Sequence, residues 1–224
     1  MRRAAAAAGP RLTAPIDGSW YDAEYFETGI KSNWADGYTW PLFQKLFRDA
    51  AAYLIAMFPE AQSFLDAGCA KGFLVRSLRD AGKDAKGFDA SPWAISHALE
   101  EARPFLRLAG VDEYTFDEQV DVLLCFDLFA HLTEDQVRSF LLRARGQVRL
   151  ALVAVIATYE RPGEEPPGDR DPSHITRQTR PWWDERIREA GWRQDRLHRN
   201  LERLCRQHEL PRRMGWSVYV YSPE

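Results

Sequence analysis

The sequence predicts an α/β fold: a doubly wound, mostly parallel seven-stranded sheet with helices on both faces, its last strand antiparallel at the edge. Three observations point there. Short apolar runs of strand length recur, notably SFLDAG (63–68), VDVLLCF (120–126) and RLALVAVIAT (149–158). Helical patterns separate them, and strands alternating with helices demand crossover connections and hence parallel pairing. VDVLLCF is apolar almost throughout, as a strand covered on both faces must be.

The elements follow in order. Pro41 opens a helix over 41–58, with Leu42, Leu46, Ala50, Tyr53, Leu54 and Met57 at helical spacing. SFLDAG is a buried strand running into a glycine-rich turn, and FLVRSLRDAG (73–82) is a helix closed by Gly82. KGFDA (86–90) is the second strand. SPWAISHALEEA (91–102) is a helix with Ser91 as its cap and Pro92 at its first position. A weak strand lies near 105–108. Thr133 caps the helix that follows VDVLLCF. A further helix over 179–190 ends at Gly191, and WSVYVYS (216–222) alternates with period two. That last strand has only a basic segment before it in place of a clear crossover helix, hence the antiparallel assignment.

The 224 residues suit one sizeable domain, with 45% hydrophobic and 12% aromatic residues to build its core. Three divisions are expected: a disordered tail at 1–15, an aromatic-rich segment at 16–58 and the main domain at 59–224. A net charge of -3 gives no case for nucleic acid or an acidic membrane as partner. Cysteines 69, 125 and 205 form no CxxC and no even-numbered framework, which points to a reducing, cytoplasmic setting. No apolar run is long enough to span a bilayer, and MRRAAAAAGPRLTAP lacks the leucine-rich centre of a secretory signal.

The stretch FLDAGCAKGF (64–73) holds the chemistry. A strand stopping at Gly68 and resuming as a helix near Gly72 leaves backbone N–H groups facing outward, at the strand edge where doubly wound sheets bind nucleotides. Asp89 ends the second strand 21 residues after Gly68, and a carboxylate there can accept hydrogen bonds from both ribose hydroxyls. The loop GCAKG is not the GxGxxG of dinucleotide sites. Asp66 puts a carboxylate at the strand end, which suits a cationic ligand and repels a pyrophosphate. A side chain from Lys71 or Phe73 filling the crevice would exclude any ligand.

These features together resemble the class I S-adenosylmethionine-dependent methyltransferases. Asp66-Ala67-Gly68-Cys69-Ala70-Lys71-Gly72 matches that family's first motif, Asp89 its acidic residue after the second strand, and FDLFAHL (126–132) its segment after the fourth. HITRQTRPWWDERIREAGW (174–192) resembles the pattern after the fifth strand. The likeness covers about residues 60–224. It implies S-adenosyl-L-methionine as cofactor, with Asp66, Cys69 and Ala70 in the motif and Gly68 and Gly72 close to the methionine portion. It further implies Asp89 on the ribose, Ala90 beside the adenine, Asp112 at the adenine amino group, and Phe126 and Asp127 flanking the methionine. Ala70 departs from the family's glycine; it is tolerable if φ at position 70 is negative.

An oxygen acceptor must lose a proton, and histidine suits that task near neutral pH. Of five histidines, His97 is read as a surface helix residue, and His198 and His208 fall in the basic segment. His131 and His174 follow the fourth and fifth strands at the ligand edge; His174 is preferred as base, with His131 its rival and Asp127 able to orient either. Tyr159 is a candidate pocket residue. The segment with Tyr21, Tyr25, Phe26, Trp34 and Tyr38 is read as either a lid or a helix behind the sheet. The family resemblance adds Lys31, Ser32, Asn33 and Tyr38 near the cofactor or acceptor. ERPGEEPPGDRDPS (160–173) is expected to be a solvated loop, with no metal at Asp169 and Asp171 because no ligand spacing supports one. Residues 193–213 hold seven arginines against three acids, with Leu197, Leu201, Leu204 and Cys205 on one face of an amphipathic helix.

The favoured function is O-methylation of a small molecule. RNA or protein methylation, a non-catalytic cofactor-binding protein and a nicotinamide oxidoreductase are the competing readings, the last disfavoured by the short loop and Asp66.

Overall fold

The computed structural model describes residues 12–161, 169–197 and 216–224. Seven strands form one sheet in the order β3-β2-β1-β4-β5-β7-β6. They are β1 (Ser63–Ala67), β2 (Asp84–Asp89), β3 (Leu106–Leu108), β4 (Val120–Phe126), β5 (Val148–Ala157), β6 (Trp192–Gln194) and β7 (Trp216–Pro223). The first five pair in parallel, and β7 is antiparallel to β5. The final strand is therefore antiparallel as expected, with the three-residue β6 paired on its outer side. The chain reverses strand order between β1 and β4, the switch point where open sheets of this kind bind ligands at their carboxyl ends.

Among the described residues the α-helices are α1 (Trp40–Met57), α2 (Phe73–Asp80), α3 (Pro92–Ser96), α4 (Glu134–Arg145) and α5 (Arg180–Glu189). Alternation along each strand sends neighbours to opposite faces. Leu65, Leu123 and Leu152 join Phe140, Leu141, Trp183 and Ile187 of α4 and α5. Phe64, Leu124 and Val153 pack with Leu54 of α1 and Leu74 and Leu78 of α2 on the other face. Among the described residues, no helix is long and apolar enough to cross a membrane.

The caps fall where the side chains dictate. Thr133 and Gln136 form a reciprocal capping box on α4, and Ser91 accepts from the Ala94 N–H at the start of α3. Gly82 and Gly191 stand just past α2 and α5 with φ of 80° and 83°.

Two expectations need correction. The helix expected over 91–102 stops at Ser96, because Leu99 donates its N–H to Lys71 O at 3.3 Å instead of continuing the helical ladder. The apolar stripe of α1 is only partly core: Leu42 is 57% and Tyr53 43% exposed, while Ala51 and Leu54 are buried. Leu46, Ala50, Tyr53 and Met57 instead wall an apolar cavity of about 210 Å³ that reaches Asp66 and Gly68 at the tip of β1.

Tail residues 1–11, loop residues 162–168 and the basic stretch 198–213, with His198, Leu201, Leu204, Cys205 and His208, lie outside the described residues.

Candidate active site

A cavity of about 480 Å³ opens at the carboxyl edge of β1, β2 and β4, within the range of small-molecule and cofactor sites. Its wall contains Gly68, Ala70, Asp89, Ala90, Asp112, Phe126, Asp127 and Tyr38 of the sequence-derived set. Asp66 and Cys69 line the adjoining apolar cavity instead. Lys71 and Phe73 line neither. Lys71 lies over the Trp93 ring at 4.7 Å, and Phe73 stacks on Tyr38 at 4.6 Å, so neither blocks the crevice.

The first turn is built by backbone geometry. Gly68 has φ 76°, and a Cβ there would meet Leu128 Cδ1 at 3.1 Å. Gly72 also has φ 76° but does not reach the cavity: a Cβ would run into Leu106 and Ala102, at 2.8 and 2.9 Å. Its smallness serves the packing of α2, not approach to a ligand. Ala70 adopts φ 47°, against the negative φ expected of it. What holds it there is a hydrogen bond from its N–H to Asp89 Oδ2 at 2.8 Å. Asp127 is the other non-glycine residue with positive φ, at 55°, among those described. Strained residues of this kind concentrate at functional sites.

The carboxylates experience different surroundings. Burial, reinforced by the charge of Asp89, pushes the Asp66 carboxyl up to about 8. Burial also raises Asp89, opposed by N–H donors from Ser91 and Ala70. Each Asp89 oxygen takes one backbone N–H, from Ala70 and Ser91 respectively, both at 2.8 Å. Lone pairs remain on both for a ligand's hydroxyls.

The segment before α1 forms part of the wall of this cavity. Ile16 to Ser19, Tyr21, Tyr25, Phe26, Trp34 and Tyr38 all line the wall. Ser91 Oγ donates to Tyr21 O, and Asn33 joins this segment to the loop after β5 through Asp169 Oδ1 (3.1 Å) and the Arg170 N–H (2.6 Å). Ser32 donates to Tyr25 O, and Lys31 pairs with Asp22 and Glu24 away from the cavity. His97 is exposed beside Trp93, as expected of a surface residue.

A polar cluster adjoins the cavity through His131. His131 ends a 3-10 turn, Phe129–His131, after β4 and lines the cavity. His174 lies behind it, 1% exposed, with ring centroids 4.6 Å apart. His131 Nδ1 is 2.9 Å from Ser173 Oγ, which donates to Asp171. His174 Nδ1 is 2.9 Å from Asp169 Oδ2, which also accepts from the Tyr159 hydroxyl. Asp169 and Asp171 are thus 4% and 3% exposed, correcting the solvated loop expected of them. The contacts that bury them come from residues remote in sequence, such as Asn33.

Burial pulls His131 down to about 4, helped by the charge of His174. Burial pulls on His174 too, but the hydrogen bond to Asp169 and the charges of Asp171 and Asp127 raise it to about 9. The hydrogen bond and charge of His174 hold Asp169 well below the usual carboxylate range against the opposing effect of burial. Sequence reasoning missed Gly18, Leu128, Gln136 and Ser173. Only Ser173, next to a candidate histidine, carried any local signal.

A family model described as a methyltransferase domain matches residues 42–210. The structure of the CcbJ methyltransferase from Streptomyces caelestis is 14% identical with a TM-score of 0.62, covering 79% of this chain and 89% of that one. Magnesium protoporphyrin IX methyltransferase (ChlM) from Synechocystis PCC 6803 with bound SAM is 16% identical, TM-score 0.56, over 83% and 90% of the two chains. The mitomycin 7-O-methyltransferase MmcR is 17% identical with a TM-score of 0.54 over 73% of this chain, which spans only about half (51%) of its length. At these identities the likeness speaks for the fold. No curated protein matches the chain.

Proposed function

Since the chain belongs to the methyltransferase domain family, we propose that it is an S-adenosylmethionine-dependent enzyme methylating an oxygen atom of a small molecule. The residues present fit that cofactor. The Asp89 carboxylate has lone pairs left for a ribose diol. Gly68 leaves space at the strand tip that a side chain would fill. Asp66, in an apolar surround and raised by burial, can ionise against a bound cationic group, its natural partner there. When bound, the cofactor supplies a methyl group already activated by its sulfonium.

The chain's own task is then to bind, orient and exclude water. Asp89 and Ala90 hold the nucleoside end, with Asp112 beyond them. Gly68, Ala70, Phe126, Asp127 and Tyr38 enclose the methionine end, and Asp66 and Cys69 approach it from the second cavity. The aromatic lid keeps water out, which strengthens every electrostatic contact inside. Good orientation alone is worth about 7–11 kcal/mol in reactions of this kind.

The observation that carries the reading is one cavity lined by both Asp89 and His131. The acceptor hydroxyl lies against His131 and Asp127 and loses its proton there. His174, behind His131, positions it and does not touch the acceptor, so the two histidines exchange the roles first expected of them. A cytoplasmic setting fits Cys69 and Cys125, both buried and free.

The test is calorimetric binding of S-adenosylmethionine, then release of the demethylated product across phenols, sugars and carboxylates. His131→Asn should cut turnover by about 100-fold or more with cofactor affinity unchanged. A variant that turns over like the parent would remove His131 from the mechanism. No cofactor binding at all would remove the function.

A further inference from the structure

We infer that Asp127, His131 and His174 form a binding site for a divalent first-row transition-metal ion. The inference rests on the proposed function only in what the ion would do, since the acceptor is read as lying against this trio.

One ligand atom from each of the three residues lies within 4.8 Å of the other two. The Nδ1 of each ring is already engaged. His131 Nδ1 faces Ser173 Oγ at 2.9 Å, and because Ser173 donates its own proton to Asp171, the Nδ1 must be the donor. His174 Nδ1 faces the Asp169 carboxylate at 2.9 Å and donates to it. His131 is neutral, so its lone pair sits on Nε2; His174, raised by the carboxylates around it, carries a proton on Nε2 that a metal ion would displace. This is the outer shell of a metal-bound histidine, in which a carboxylate or hydroxyl on the far nitrogen fixes tautomer and orientation.

A second observation is independent of the clustering. His174 Nε2 is buried without a hydrogen-bond partner, and its nearest acidic oxygen, Asp127 Oδ1, is 3.8 Å away. That separation is too long for a hydrogen bond. It suits two ligands of one ion, since metal bonds of about 2.0–2.2 Å put tetrahedral neighbours roughly 3.3–3.6 Å apart.

Two imidazoles and one carboxylate favour zinc, cobalt, iron or manganese over magnesium or calcium, which prefer all-oxygen shells. Three protein ligands leave a fourth position open, and both Asp127 and His131 line the cavity. An acceptor hydroxyl entering that position would release its proton to solvent more readily, with no change in oxidation state. His131 then acts as a ligand and not as the proton's final carrier.

The test uses the full chain, freed of any affinity tag and dialysed against a chelator. Cobalt(II) is titrated in while the visible d–d band is followed, with zinc(II) calorimetry in parallel. One equivalent should bind to the parent. Binding should weaken by roughly 10–100-fold in Asp169→Asn, which loses only an outer partner, and vanish in Asp127→Asn. His174→Ala should also abolish it. Asp127→Asn keeps size and shape and so guards against a His174 variant that fails to fold. No saturable binding of either ion, or binding unaltered by Asp127→Asn, would overturn the inference. Full turnover by chelated, metal-free protein would do the same while leaving the methyltransferase reading intact. Cobalt binding in a protein that fails to bind S-adenosylmethionine would sink that reading and spare the metal site.

Discussion

The backbone N–H of Ala70 donates to Asp89 Oδ2 at 2.8 Å, so the turn after β1 and the end of β2 are one unit. Asp89 thus holds the turn, and in the proposed function it also takes the ribose. Asp89→Ala should weaken S-adenosylmethionine binding by on the order of 100-fold, the loss of charged hydrogen bonds worth about 2–3 kcal/mol. It should also lower Tm, because the Ala70 and Ser91 N–H groups lose their acceptor. Calorimetry and thermal melts measure both effects, and unchanged affinity would refute the ribose assignment.

Ala70 holds φ 47° without being glycine. A left-handed residue with a Cβ costs roughly 1–2 kcal/mol, part of which glycine would return as unfolded-state entropy. Ala70→Gly should therefore raise Tm by about 1–3 °C, since a chain of this size shifts roughly 2–4 °C per kcal/mol. Cofactor affinity should stay within about twofold, because the Asp89 bond uses the backbone alone. A fall in Tm would show that the strain is relieved by contacts of the methyl group.

The strands, the first turn and the acid ending β2 were legible because their signals are local. Apolar runs, a glycine at a strand end and a carboxylate about 20 residues on can be read without knowing what packs where. Ala70 was misjudged because its φ is set by Asp89, 19 residues away. Asp169 read as solvent-facing because its partners, His174 and Tyr159 nearby and Asn33 far off, are chosen by the fold, and Asp171 accepts from Ser173 beside them. Gly72 looked like a ligand contact because a motif records a small residue and not what needs the space; here it is Leu106 and Ala102.

Asp66 makes cofactor binding pH-dependent. Its carboxyl is raised from 3.8 to about 8 by burial and by Asp89. Tyr38, Cys69 and Cys125 also feel its charge, and none of these groups is a cation. The free protein therefore keeps Asp66 protonated at pH 7, whereas a bound cation favours the ionised form. The complex has the lower pKa and binding releases a proton. Affinity for S-adenosylmethionine should rise with pH and level off above about pH 8, by at most about tenfold per pH unit. Asp66→Asn should remove that slope, and the difference between the two profiles isolates Asp66 from titration of the ligand itself. Parallel profiles would mean that no cation meets Asp66.

Gly18 sets how closely the proposed lid can approach Ala90. A Cβ at this position would lie 1.9 Å from the Ala90 carbonyl oxygen and 2.6 Å from its carbon, both backbone atoms. They cannot rotate aside, so Gly18→Ala must lift the lid from the end of the cavity beside Ala90. Asp17 Oδ1, which accepts from the Ser19 N–H at 2.8 Å, would move with it. The sheet core is remote from this contact, so Tm should change by no more than about 2 °C. Affinity for S-adenosylmethionine should drop by about tenfold, or 1.4 kcal/mol. Gly82→Ala is the matched control, because Gly82 has φ 80° but open space around its missing Cβ. That variant should lose roughly 1 kcal/mol of stability and keep its affinity. Equal affinities in the two variants would mean that the lid is not part of the cofactor site.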